Sequence, residues 1–175
     1  DPFGRLGLQE TAAGWVARAV VPGAEKVRAA TLSGTVVGDL SRYRDTRFFE
    51  GPVDVQGREP LRYLASNAEA EWSFVDPYTF GPVLGPMDDY YSAEGTHLRL
   101  FDKLGAHVIE HEGVHGVQFA VWAPSASRVS VVGDFNGWDG RRHVMRLRLS
   151  TGVWEIFIPD LGPGAVYKFE ILSAA

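Results

Sequence analysis

The sequence predicts an all-β protein built as two tandem immunoglobulin-like β-sandwiches, joined by an aromatic linker rich in Pro and Gly that carries a short helix. Three observations predict this. Strand-like runs such as "PLRYLAS", "GVQFAVWAP", "RVSVVGDF" and "GVWEIFIPD" are short, and Gly or Pro breaks them every several residues. Side chains alternate inside them: Val117, Phe119 and Val121 share one strand face, and Trp154, Ile156 and Ile158 share another. Finally, "WVARAVVPGAEKV" (15–27) aligns with "VQFAVWAPSASRV" (117–129) as strand, Pro, polar turn, basic residue and Val, an internal repeat.

The repeat divides the chain into a first sandwich over 1–76, a linker over 77–105 and a second sandwich over 106–175. Each copy is near the lower size limit for an independent domain. The linker "VDPYTFGPVLGPMDDYYSAEGTHLRLFDKLG" is too apolar for a free tether. It is expected to pack on one or both sandwiches, with Thr96 capping a helix of one or two turns that carries Leu98, Leu100 and Phe101 and ends at Gly105. The chain opens on Asp1 without Met and closes on "EILSAA" straight after a strand pattern, so both ends read as cuts in something longer.

Composition narrows the chemistry. A net charge of −5 argues against nucleic acid, because a surface that tracks phosphates needs clustered Lys and Arg. The basic runs at Arg141–His143 and Arg146–Arg148 read as outward strand positions. With no Cys there is no disulfide, thiolate metal site or Cys nucleophile. No apolar run reaches membrane-spanning length, and cytoplasm is the default compartment. No Gly-rich phosphate loop and no nucleophile elbow is present, and no cofactor is expected. "HEGVH" (111–115) has the spacing of a zinc-protease motif, which requires a helix to bring both His to one face. Gly113 and Gly116 oppose a helix, so a hairpin or loop without metal is expected.

"GDFNGWDG" (133–140) is the unusual stretch. Trp138 stands between glycines after its strand has ended, a poor place for a core residue. A flat ring on such a turn can stack on the C–H face of a sugar while Asn136 or Lys168 hydrogen-bonds the hydroxyls. The alternative, a ring folded back to staple the turn, fits the residues equally well. Trp122 and Trp154 lie in strand patterns and read as core.

The segment "GVQFAVWAPSASRVSVVGDFNGWDGRRHVMRL…GVWEIFIPDLGPGAVYKFEI" resembles the family 48 carbohydrate-binding module that precedes the catalytic barrel of glycogen branching enzymes. Its Gly-Asp-Phe-Asn-Gly-Trp turn and Tyr167-Lys168-Phe169 are shared with the glycogen-binding domain of the AMP-activated kinase beta subunit. The first half resembles the additional N-terminal domain of long bacterial branching enzymes. This resemblance implies a parent that transfers α-1,4-glucan segments to 6-hydroxyls on a barrel absent from these residues, so the chain alone is not expected to be an enzyme. It implies that Trp138 stacks on α-1,4-glucan (glycogen, amylose), that Lys168 hydrogen-bonds it, and that Asn136 is a further candidate. A spacer or brace without sugar contact and a regulatory glycogen-targeting subunit are the rival readings.

Overall fold

A computed structural model of the chain describes residues 1–86, 88 and 102–173. The Thr96-capped helix and the linker aromatics Tyr90, Tyr91 and Phe101 lie outside those residues. Two compact units divide the chain, Pro2–Gly81 and Pro82–Ala175.

The first unit is one antiparallel sheet of seven strands: β1 (Gly7–Thr11), β2 (Gly14–Val20), β3 (Lys26–Thr31), β4 (Val36–Arg42), β5 (Phe48–Pro52), β6 (Leu61–Ser66) and β7 (Glu71–Val75), in the order β1-β2-β5-β4-β3-β6-β7. It curls, because Leu8, Ala17, Val27, Leu40, Phe49, Leu61 and Tyr63, drawn from β1 to β6, share a single core. Alternation drives the curl: β6 buries Leu61, Tyr63 and Ala65 while the residues between them stay half-buried.

The second unit has two facing sheets. One has the order β11-β12-β9-β8, from β8 (Gly105–His111), β9 (Val114–Trp122), β11 (Arg146–Arg148) and β12 (Val153–Pro159). The other pairs β10 (Ala126–Gly133) with β13 (Tyr167–Ser173). Val117, Phe119 and Val121 register with Ile158, Ile156 and Trp154, as alternation predicts. Phe119 then meets Phe135 and Tyr167 across the core at 6.1 and 4.9 Å between ring centroids.

The internal repeat is a repeat of wiring. The order β1-β2-β5-β4 in one unit matches β8-β9-β12-β11 in the other, and β3-β6 matches β10-β13. In both copies the repeated sequence crosses over: β2 does not pair with β3, and β9 does not pair with β10. Residues 143–145 bond to β10 through Val131 N–H to His143 O and Met145 N–H to Val129 O, echoing the β3–β4 pairing of the first copy.

Two readings are corrected. Trp154 is buried and its indole N–H donates to Ala123 O at 3.0 Å, but Trp122 is 59% exposed and only its Nε1 is anchored, on Thr151 O. Strand membership misled here: Trp122 lies on the face opposite Phe119, past the cover that hides Ala120. Arg148 does take the outward strand face, the one that carries Glu155, but it is covered there, with its guanidinium 3.6 Å from the Glu155 carboxylate. Gly105 opens β8 at φ 90°, where it was expected to close a helix. "HEGVH" forms a hairpin, with Glu112 and Gly113 at φ 48° and 80° in a two-residue turn. Glu110 faces His115 across the strands and His111 faces Val114, which puts the two His on opposite faces.

A buried carboxyl sits where the first unit ends. Asp76 is 3% exposed, and its Oδ1 accepts the Tyr78 N–H that opens the short helix Pro77–Thr79. Burial pushes its pKa from 3.8 up to about 7, against the opposing pull of the Tyr78 amide and the Tyr63 hydroxyl. A raised folded-state pKa favours the protonated form, so this contribution to stability is full below the unfolded value and lost as pH rises through about 7. Going from pH 4 to above 7, Asp76 should cost the first unit up to roughly 4 kcal/mol. Asp76→Asn should remove that part of the slope. Urea unfolding at pH 4.5, 6 and 7.5 checks it, and a wild-type-minus-variant difference that ignores pH would sink the assignment.

Candidate glucan-contact site

The site grows from the loop between β10 and β11. In the first copy the corresponding connection, residues 32–35, is a tight turn closed by Gly34 N–H to Thr31 O and Thr31 N–H to Thr35 O. In the second it runs from Asp134 to Met145 and has room for a short 3₁₀ turn, Asp134–Asn136. Gly137 and Trp138 follow at φ 64° and 59°. A left-handed tryptophan is unfavourable by roughly 1–2 kcal/mol relative to a right-handed one. The loop holds it there through Trp138 N–H to Gly133 O at 2.9 Å, and its ring is 42% exposed. Phe135 points the other way, onto Phe119.

Lys168 lies on the outer face of the β10-β13 pair. It registers with Val132 and is exposed, while Tyr167 and Phe169 turn inward and meet each other at 5.5 Å. The loop folds back over this face. Ser130 Oγ donates to Gly140 O at 2.6 Å, and a side chain at Gly140 would run into the Glu170 carboxylate, on the strand position two beyond Lys168. The Gly140 end of the loop, two residues past Trp138, thus lies over the face that carries Lys168.

The Asn136 side chain is 1% exposed and fully engaged inside the loop. Oδ1 accepts from Gly133 N–H at 3.0 Å; Nδ2 donates to Val131 O at 2.9 Å and to His143 Nδ1 at 2.8 Å. Asn136 therefore shapes the loop and has no group left for a sugar. Burial, with help from Arg142, holds the His143 pKa down at about 4, so the ring stays neutral and can accept from the Asn136 amide. Asp139 is also engaged, with Arg141 Nε and Nη2 each 2.8 Å from its two oxygens, and that guanidinium holds its pKa far below the usual carboxylate range.

Sequence reasoning missed Glu155 altogether. Its carboxylate is 2% exposed on the outer face of the four-stranded sheet, where Oε2 accepts from both Val83 and Leu84 N–H at 3.1 Å. Burial drives its pKa up, and the two amides and Arg148 pull it back. Leu84 packs there with Ala120, Val153 and Leu104. The apolar joint was a signal that something would cover this face, but nothing in "VWEIFIP" marks the Glu as its anchor.

A small antiparallel sandwich that presents an indole from a rigid turn is the build of a carbohydrate-binding module. Residues 103–175 match the profile of carbohydrate-binding module 48 (isoamylase N-terminal domain). The chain is 65% identical over 173 residues to the 1,4-alpha-glucan branching enzyme GlgB of Mesorhizobium japonicum. It is 60% identical to that of Agrobacterium fabrum and 59% identical to that of Novosphingobium aromaticivorans. Each match covers 99% of the chain, which spans about a quarter (24%) of each relative's length. Nearly the whole chain is thus similar to the N-terminal region of bacterial 1,4-alpha-glucan branching enzymes, and its residues 103–175 match the family 48 module.

Proposed function

We propose that the second unit binds one α-1,4-glucan chain, with Trp138 stacking on a glucose ring and Lys168 donating to its hydroxyls. In this reading the region is non-catalytic. It positions glycogen or amylose for a branching reaction carried out on a barrel elsewhere in the parent polypeptide, in the cytoplasm. The observation that carries the reading is the exposed indole on a left-handed residue: a strained position is retained where Gly or Asn would sit at lower cost. The name shared by the relatives favours it over a regulatory targeting subunit. A bracing role for the same module draws support from a different feature, the exposed Trp122 at the start of the crossover into β10, a surface for the parent's further chain to cover.

Titration with maltoheptaose and co-sedimentation with glycogen test the sugar site. A ring and a few hydrogen bonds correspond to roughly millimolar affinity, about −4 kcal/mol. Trp138→Ala should weaken binding at least about tenfold, the loss of roughly 1.4 kcal/mol, and leave the melting temperature nearly unchanged. A wild-type chain that never binds, or a variant destabilised by the roughly 3–5 kcal/mol typical of an emptied aromatic core site, overturns the reading.

A further inference from the structure

The indole N–H of Trp138 already has a partner. Nε1 donates to Asp134 Oδ1 at 2.8 Å, and both side chains are exposed. The ring is therefore held at two points, its own backbone amide on Gly133 O and its ring nitrogen on Asp134. Without the second, an exposed tryptophan samples several rotamers, and a ligand that selects one pays for the freezing. Asp134 pre-sets the ring.

The same carboxylate has a second oxygen. Among the described residues no other hydrogen bond reaches the Asp134 carboxylate. The other polar side chains of the turn are engaged elsewhere: Asn136 is buried, and Asp139 carries Arg141 on both oxygens. A carboxylate only accepts and an ammonium only donates, whereas each sugar hydroxyl does both. An acceptor at the edge of the indole and a donor at Lys168, on the face that the Gly140 end of the same loop overlies, suit neighbouring hydroxyls of one glucose unit.

We infer that Asp134 is a further residue of the glucan site: one carboxylate oxygen fixes the Trp138 ring and the other accepts a hydrogen bond from a hydroxyl of the glucose stacked on it. This rests on the reading of Trp138 as a stacking residue and names the acceptor that Lys168 and Trp138 both lack.

The test uses the full chain, with maltoheptaose as ligand and ¹⁵N-labelled tryptophan. Asp134→Ala loses both functions and should bind about tenfold more weakly. Asp134→Asn keeps a carbonyl oxygen for the indole but replaces the second acceptor with an amide NH2, which only donates, and should fall between, about threefold weaker. The Trp138 indole N–H signal, identified by its absence in Trp138→Phe, should shift and exchange faster with solvent in Asp134→Ala and stay near its wild-type position in Asp134→Asn. Melting temperatures of both variants should stay close to wild type. If Trp138→Ala abolishes binding while both Asp134 variants bind within twofold of wild type, the inference is wrong and the stacking reading stands. An indole signal unmoved in Asp134→Ala also overturns it. A wild-type chain without affinity removes the stacking reading, and this residue's hydroxyl contact with it.

Discussion

Asn136→Ala is expected to lower the melting temperature of the second unit by on the order of 10–20 °C and to abolish retention on glycogen. The amide touches three buried groups, the Gly133 N–H, the Val131 carbonyl and His143 Nδ1. Each one left without a partner is unfavourable by about 1–3 kcal/mol, and partial entry of water lowers the sum to roughly 3 kcal/mol. For a unit of this size each kcal/mol shifts the midpoint by about 4–8 °C. Asn136→Asp should be no milder, since a carboxylate satisfies Gly133 but turns an acceptor toward the Val131 carbonyl. Acid should imitate the lesion. The pKa of His143 is depressed to about 4, so its contribution is full above the ordinary imidazole value of 6.5 and lost as pH falls through 4, when the ring takes a proton on the nitrogen that accepts from Asn136. Differential scanning calorimetry at pH 7 and pH 4 checks both statements. An Asn136→Ala chain that melts within 3 °C or so of wild type would show that the loop does not depend on this amide.

Glu155→Ala should be of similar size, for a different reason. It strips the acceptor from the Val83 and Leu84 amides and the counterion from a guanidinium whose side chain is only 14% exposed. Breaking a buried pair from one side is unfavourable by about 3–5 kcal/mol, mostly from the charge left behind. The segment from Pro82 to Gly85 should then come away from the sheet and be cut by protease in minutes where wild type resists. Glu155→Gln keeps an oxygen for the amides and should lose less. Adding Arg148→Met to Glu155→Gln should recover stability, because removing the second charge relieves the first vacancy. A double variant no more stable than Glu155→Gln alone would show that Arg148 is solvated independently of Glu155.

These two residues also show where the sequence stops being legible. Alternation places Phe119 opposite Ile156 because strand geometry is local and periodic. The turn around Trp138 is legible because Gly, Asn and Asp constrain the backbone whatever surrounds them. Asn136 looks like any turn residue: its burial depends on a histidine seven positions away folding back beneath it. Glu155 looks like the polar member of an alternating strand, and becomes an anchor only because residues some seventy positions earlier lie across it. Trp122 errs in the opposite sense. A large aromatic in a strand reads as core, yet how far the cover on that face extends is decided by the joint and not by the strand. Asp134 looks like any turn carboxylate, and its reach of four positions to the indole nitrogen depends on where the ring comes to rest.

The crossover wiring also bears on how the chain gets made. The crossover puts β9 and β10 in opposite sheets, and β10 completes its strand pairing only at β13, where Ala126 meets Ser173 and Gly133 meets Tyr167. Contacts this distant along the chain close slowly, since the loop entropy is lost before any pairing compensates it. On the ribosome the second unit therefore waits, with β10 and the underside of its loop uncovered, until β13 has emerged. The first unit closes earlier, β6 pairing with β3 as soon as Ser66 is out. The nascent chain thus holds a finished unit while the second is unfinished, and it is the later copy, the one that matches the family 48 module, that a chaperone would need to shield.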